Sequence, residues 1–470
     1  FIQGGLPRRR VYLVEGDPGV GKTTFSLQFL LEGAKSNEKV LLIGLAESQD
    51  ELMAVGQSHG WDLSAIEIFE LAPSETLDQE EQYSILEPSE MELGDTVKRI
   101  FEVVDRLKPD RVVFDSLSEM RLLAQSPLRY RRQILALKHH FVSRNCTVLF
   151  LDDRSSDSRD LTLQSLVHGV IELQKYSPIY GKARRKLQVT KLRGVRFQAG
   201  YHDFEIETGG IVVFPRLPIA DHSIKFEPHR FSCGVESLDT LLGGGLDRGT
   251  TTLIMGPAGC GKSSLAALYA VKSAELGHKS VIFTFDEGLA TLKKRTKELG
   301  MDVQPHIDEG RIHLQQVDPA EMSPGEFMWR VRETVERMSA TVVIIDSLTG
   351  YIDAMPESQF LSIQMHEMLA YLNQRGVLTI MTMAQHGYLG SNLTTPADIS
   401  YLADTVVLLR FFEVEGAVKK AISVIKKRSG THESTVREYK LGPVRIQVGR
   451  ALTEFHGVLS GALVYSGHSS

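Results

Sequence analysis

Gly16-Asp17-Pro18-Gly19-Val20-Gly21-Lys22-Thr23 and Gly256-Pro257-Ala258-Gly259-Cys260-Gly261-Lys262-Ser263 are two copies of one phosphate-binding pattern, about 240 residues apart in a chain of 470. Each follows an apolar run, Val11-Tyr12-Leu13-Val14 or Thr252-Leu253-Ile254-Met255, and opens an apolar-periodic segment at 25–31 or 265–271. Strand, loop and helix are therefore expected in that order. In this setting the glycines let successive backbone N–H groups face phosphate oxygens, and the helix N-terminus adds partial positive charge. Lys22 or Lys262 is expected to reach the terminal phosphates, and Thr23 or Ser263 to ligate Mg2+. Thr24 and Ser264 carry each loop into its helix and complete the predicted nucleotide-binding residues.

The duplication extends beyond the loops. Gly4-Gly5-Leu6-Pro7 matches Gly244-Gly245-Leu246-Asp247, Arg111-Val112-Val113-Phe114-Asp115-Ser116-Leu117 matches Val342-Val343-Ile344-Ile345-Asp346-Ser347-Leu348, and Lys191-Leu192-Arg193 matches Lys426-Lys427-Arg428. An offset that drifts so little means two copies of one domain, placed here at 1–220 and 221–470. The join falls between Phe214 and Pro228, where Pro215, Pro218 and Pro228 forbid a continuing helix or central strand. Each half alternates short Val/Ile/Leu-rich strands with amphipathic helices, the α/β pattern of a mostly parallel sheet covered on both faces.

Hydrophobic residues make up 42% and charged residues 24%, and no apolar run reaches the ~18 residues of a membrane span, so a soluble cytoplasmic protein is expected. Three widely spaced cysteines offer neither a disulfide framework nor a zinc site. Cys260 lies beside a lysine and a helix N-terminus, where a thiolate is favoured, although a small residue tolerated in the loop is the preferred reading. A net charge of −6 gives no global attraction to nucleic acid. The basic runs Arg8-Arg9-Arg10 and Lys182-Ala183-Arg184-Arg185-Lys186 read as a strand flank and a hairpin tip.

Ligands of parallel sheets bind at the carboxyl ends of strands. Three such edges carry polar groups in each half. The first gives Ala46-Glu47 and Asp286-Glu287, carboxylates able to orient or deprotonate the group that attacks a γ-phosphate. The second gives Asp115 and Asp346, the expected carboxylates for Mg2+. The third gives Asp152-Asp153 and Gln385, candidates for sensing the γ-phosphate.

Along essentially its full length the chain resembles the KaiC family of double RecA-like ATPases. The residues that carry the resemblance are the two phosphate loops, the Gly-Gly-Leu lead-in, Ser58-His59-Gly60-Trp61-Asp62-Leu63 with Glu298-Leu299-Gly300-Met301-Asp302, and Asp-Ser after each second edge. Lys191-Leu192-Arg193-Gly194 and Asp398-Ile399-Ser400-Tyr401-Leu402-Ala403-Asp404 add to it. The resemblance implies ATP as ligand, Mg2+ as its ion, and a ring of six subunits in two tiers with ATP between neighbours. It also implies that Lys191, Arg193, Lys426 and Arg428 reach a neighbour's phosphates.

Departures from the family pattern shape the expected function. Two adjacent glutamates are usual at the catalytic edge, so the first half keeps one acid, Glu47, and the second, with Asp286 and Glu287, is expected to be the faster ATPase. In the clock members the second half phosphorylates an adjacent Ser-Thr pair; here Ser400-Tyr401 stands there, leaving Ser400 as the candidate phosphorylation site. Gln164-Ser165 and His168 occupy the places of Ser400-Tyr401 and Asp404 in the first half, so autokinase chemistry is expected only in the second. The motif preceding the second loop, complete from Ser232, is cut short before the first, so the natural N-terminus is expected upstream of Phe1. The segment after 459 is short for a clock-type regulatory tail, so a full circadian role is not expected. The leading reading is a nucleotide-state switch acting on an unidentified signalling protein, with a first half that hydrolyses ATP or serves as a nucleotide-clamped scaffold. The alternative is a RecA-type DNA motor, disfavoured by the acidic balance, the absence of a recognisable DNA-binding module and the small number of aromatic-plus-basic clusters.

Overall fold

The computed structural model describes residues 2, 4–45, 47–71, 88–124, 126–153, 161–178, 181–217, 224–353, 358–385, 400–414, 416–442, 446–458 and 464–465. The chain divides into two compact units, residues 1–179 with 183–216, and 180–182 with 217–470.

The first unit is built on one sheet of strands β1 (Val11–Gly16), β2 (Val40–Gly44), β3 (Glu67–Glu70), β4 (Arg111–Asp115), β5 (Thr147–Asp153), β6 (Gly169–Tyr176), β7 (Arg184–Leu192), β8 (His202–Glu207) and β9 (Gly210–Phe214). Their spatial order is β3-β2-β4-β5-β1-β6-β7-β8-β9, parallel as far as β6 and antiparallel beyond it. Continuous apolar runs suit the parallel part because both faces are covered. Val11 and Leu13 pack on one face with Val97, Ile100, Ile134 and Phe141, while Tyr12 and Val14 pack on the other with Val20, Leu27 and Leu30. Each such side chain, fully buried, contributes about 1.5–3 kcal/mol.

The second unit repeats the plan. A small pair, β10 (Arg230–Phe231) with β11 (Leu246–Asp247), precedes β12 (Thr251–Gly256), β13 (Ser280–Thr284), β14 (Ile312–Gln316), β15 (Val342–Asp346), β16 (Leu378–Ala384), β17 (Thr405–Val414), β18 (Ala417–Lys427), β19 (Arg437–Leu441) and β20 (Ile446–Ala451). The order is β14-β13-β15-β16-β12-β17-β18-β19-β20, strand for strand that of the first sheet. The fold is thus two tandem RecA-like α/β domains, and the strand after each phosphate loop's own strand in space, β5 or β16, borders the nucleotide edge.

Gly21 and Gly261 show why the loop needs glycine before its lysine. Both adopt left-handed backbone, with φ of 114° and 105°, and a Cβ on either would come within 2.6 Å of Ile206 or Leu441. Helices Lys22–Lys35 and Lys262–Glu275 start directly after them.

Candidate active sites

In the first site Lys22 Nζ donates to the carbonyls of Gly16 (2.9 Å) and Asp17 (3.1 Å), folding the ammonium over its own loop. A 2.6 Å ion pair with Asp153 holds it from the other side. Val20 is buried in the core, so only its backbone can face a ligand. Thr23 Oγ1 lies 3.4 Å from both Glu47 Oε1 and Asp115 Oδ2. Thr24, one residue on, is buried against the sheet.

Two carboxylates sharing one hydroxyl in a buried place repel each other. Burial, and then Glu47, push the Asp115 carboxyl up to about 7, and burial likewise raises Glu47. Glu47 Oε2 is buried without a hydrogen-bond partner among the described residues. Hard oxygen donors carrying excess negative charge are what Mg2+ takes, so Thr23 and Asp115 fit the ion.

The second site keeps the loop and changes its surroundings. Lys262 Nζ donates to Gly256 O (2.9 Å) and Pro257 O (2.8 Å). Ser263 Oγ donates to Asp346 Oδ1 (2.9 Å), which also accepts from Thr382 Oγ1 (2.5 Å). Burial raises the Asp346 carboxyl while these two hydroxyls oppose the rise, and Ser263 with Asp346 again fits Mg2+. Asp286 accepts from Ser347 Oγ (2.5 Å), and Glu287 is gripped by Arg295. Neither of these two acids hydrogen-bonds to Ser263 or Asp346, whereas Glu47 does approach Thr23.

The pairing of the third edge comes out one residue differently from the sequence reading. Gly16 pairs with Asp153 and Gly256 with Ala384, so the second half has alanine where the first has the carboxylate that holds Lys22. Gln385 follows Ala384, its backbone N–H donating to Gly256 O (3.1 Å). Asp152 is taken by Arg121 at 2.5 Å. The Lys22–Asp153 contact escaped sequence reasoning, although adjacency of the two strand ends would have revealed it.

Cys260 follows the preferred of its two readings. It is fully buried at the place of Val20, and burial pushes its thiol up despite the neighbouring Lys262. It serves as a small core residue, not a thiolate.

Lys191 and Arg193 lie away from their own phosphate loop. Lys191 sits opposite Val170 and so level with Leu13, and the N–H of Arg193 donates to His168 O, level with Val11. Gly16 lies three to five residues further along the strand, about 10–16 Å. Lys191 Nζ donates instead to Gln164 O (2.5 Å) and Ser165 O (3.5 Å). The second half repeats the register: Lys426 sits opposite Val406 and donates to Ala403 O (2.8 Å), and Arg428 donates to Tyr401 O (3.0 Å). Ser400 opens the one-turn helix Ser400–Leu402 that precedes them; its side chain lies outside the described residues.

The family description "ATPase: KaiC" matches this chain twice, over residues 1–217 and 231–452. The chain belongs to the KaiC family of ATPases. Relatives named circadian clock oscillator protein KaiC are 25% identical in Parathermosynechococcus lividus, over 98% of this chain and 85% of theirs, and 25% in Acaryochloris marina, over 97% and 88%. The protein of that name in Prochlorococcus marinus subsp. pastoris is 26% identical over 98% of this chain and 91% of its own. Such relatives do not favour the DNA-motor alternative. Among the described residues no helix is long and apolar enough to cross a membrane.

Proposed function

We propose that this KaiC-family ATPase is a nucleotide-state switch that assembles with copies of itself, in a ring of six as the family resemblance implies, each ATP being held between neighbours. The observation that carries the reading is the place of Lys191 and Arg193, level with Leu13 and Val11 and so well short of the phosphate loop at Gly16. A site with a complete loop and distant fingers is finished by a second copy. Glu47 accepts a proton from the attacking water as its oxygen bonds to the γ-phosphorus; the bond from that phosphorus to the β,γ-bridging oxygen breaks, leaving ADP and inorganic phosphate. Lys22 and the neighbour's Lys191 and Arg193 stabilise charge on the transferred group. Thr23 and Asp115 would hold Mg2+, which would supply positive charge against the phosphate groups.

In the second domain the nucleophile is water or the Ser400 hydroxyl, with Glu287 as proton acceptor. Lys426 and Arg428 both grip backbone carbonyls of the turn that Ser400 opens, which ties the finger strand to the acceptor segment. What the switch signals to is a protein partner yet to be identified, in the cytoplasm.

Mixing subunits tests the reading. In chains whose second site is silenced by Glu287→Gln, Lys22→Ala and Arg193→Ala are each expected to abolish hydrolysis, and a one-to-one mixture to restore part of it. A mixture that stays inactive, or full hydrolysis by a species that light scattering shows to be monomeric, overturns it.

A further inference from the structure

One contact beside the second phosphate loop has no counterpart in the first. Arg295, on helix Leu289–Glu298, forks Glu287: Nε donates to Oε1 at 3.0 Å and Nη2 to Oε2 at 2.7 Å. Its remaining arm, Nη1, donates to Ser264 Oγ at 2.8 Å, on the phosphate-loop helix. The two side chains are only 24% and 22% exposed, so water competes little for the pair. A planar fork also fixes the rotation of the carboxylate it holds.

Eight residues after its own glutamate, the first half has Val55 where the second has Arg295. Glu47 accordingly has one oxygen near Thr23 and the other buried without a partner among the described residues. A general base works only if its oxygen can reach the proton it takes. Glu47 can turn toward a nucleophile; Glu287 is tied at both oxygens.

We propose that Arg295 is a latch on the second site, holding Glu287 to the phosphate-loop helix and away from the nucleophile, so that this site turns over more slowly than the first. The inference rests on the proposed role of Glu287 as proton acceptor and reverses the expectation drawn from counting acids. Arg295 is a positioning residue here, acting on the reaction through Glu287.

The test uses the full chain carrying Glu47→Gln, which silences the first site, and follows phosphate release. Adding Glu287→Gln comes first: if turnover does not fall, the proton-acceptor reading fails and the latch with it. Given that fall, Arg295→Val, which copies the first half, is expected to raise kcat about tenfold, within the ~10² to 10⁴ that a positioned base is worth. Arg295→Lys, which keeps the charge without the fork, is expected to fall between. The gain in Arg295→Val must vanish on adding Glu287→Gln. An unchanged or lower kcat in Arg295→Val, with Glu287→Gln still costly, overturns the latch and leaves the role of Glu287 standing. The reciprocal change, Val55→Arg in a chain carrying Glu287→Gln, is expected to slow the first site by a similar factor; an unaltered rate there also overturns it.

Discussion

Lys22 Nζ lies 2.6 Å from Asp153 Oδ1, so the first phosphate loop carries an internal anion where its ligand's phosphate has to arrive. Asp153 is 43% exposed, which limits such a pair to ~0.2–1 kcal/mol. ATP must displace this carboxylate, whereas the second loop has Ala384 at the matching place. Asp153→Ala should therefore tighten ATP binding at the first site by roughly two- to fivefold. Calorimetric titration in a chain carrying Lys262→Ala reads it out; unchanged or weaker binding would show that Asp153 helps rather than competes.

The start of each phosphate-loop strand is held by a side chain that accepts a backbone N–H. His168 Nδ1 accepts from Val11 N (3.1 Å), and Asp404 Oδ2 accepts from Thr251 N (3.0 Å). His168 must keep Nδ1 unprotonated to do this, and its pKa is lowered by burial and then by Lys138. The unfolded chain thus takes the proton first, below about 6.5, and stability falls as pH falls through that range. His168→Asp should preserve the hydrogen bond and flatten this part of the pH profile. His168→Ala should cost ~1–3 kcal/mol near pH 7.5 by leaving the N–H unpaired, and less toward pH 5.5, where wild type loses the bond as well. Thermal melts between pH 5.5 and 7.5 distinguish the two variants, and identical slopes in wild type and His168→Asp would refute the assignment.

Much of this architecture was legible because it rests on local chemistry that repeats. The phosphate loops, the second-edge carboxylates Asp115 and Asp346 and the Lys-x-Arg pairs fall at the same register in both sheets, since each is fixed by a strand end or a loop glycine. Arg295 was not legible: it stands among Lys293, Lys294 and Lys297 on a helix whose basic residues read as a solvated face. The burial of Lys427 was no more legible. It replaces Leu192 in the finger motif, yet its side chain is buried and donates to Leu242 O (2.5 Å) and Gly245 O (3.0 Å). Which long side chain turns inward depends on carbonyls brought from far along the sequence, and no window of sequence contains both.

The cysteines make a simple chemical prediction. All three are buried, and burial pushes the thiols of Cys146 and Cys233 up to about 12 and raises Cys260 as well. Thiolate is the reactive form, so the folded protein should resist iodoacetamide at pH 8, while guanidinium-unfolded chain takes up three equivalents. Rapid labelling of Cys260 in the folded state would revive a redox role for the second loop.

Phosphate transfer within the second domain should mark Ser400 and spare Tyr401. Arg428 fixes the Tyr401 carbonyl at 3.0 Å and Lys426 fixes that of Ala403 at 2.8 Å, so the backbone of this turn is held rather than free to adjust. On a fixed backbone the tyrosine oxygen stands several ångströms further out than a serine oxygen, and in-line attack loses on the order of 10²-fold per ångström of misplacement. Tyr401 is, moreover, 53% exposed, as suits a ring turned to solvent. Incubation with labelled ATP should therefore label wild type, lose the label in Ser400→Ala and keep it in Tyr401→Phe. Because Arg428 grips the backbone of the acceptor turn, Arg428→Ala should weaken labelling more than it weakens ATP binding. Label that survives in Ser400→Ala, or its complete absence in wild type, would leave an ATPase switch whose signal is carried by nucleotide state alone.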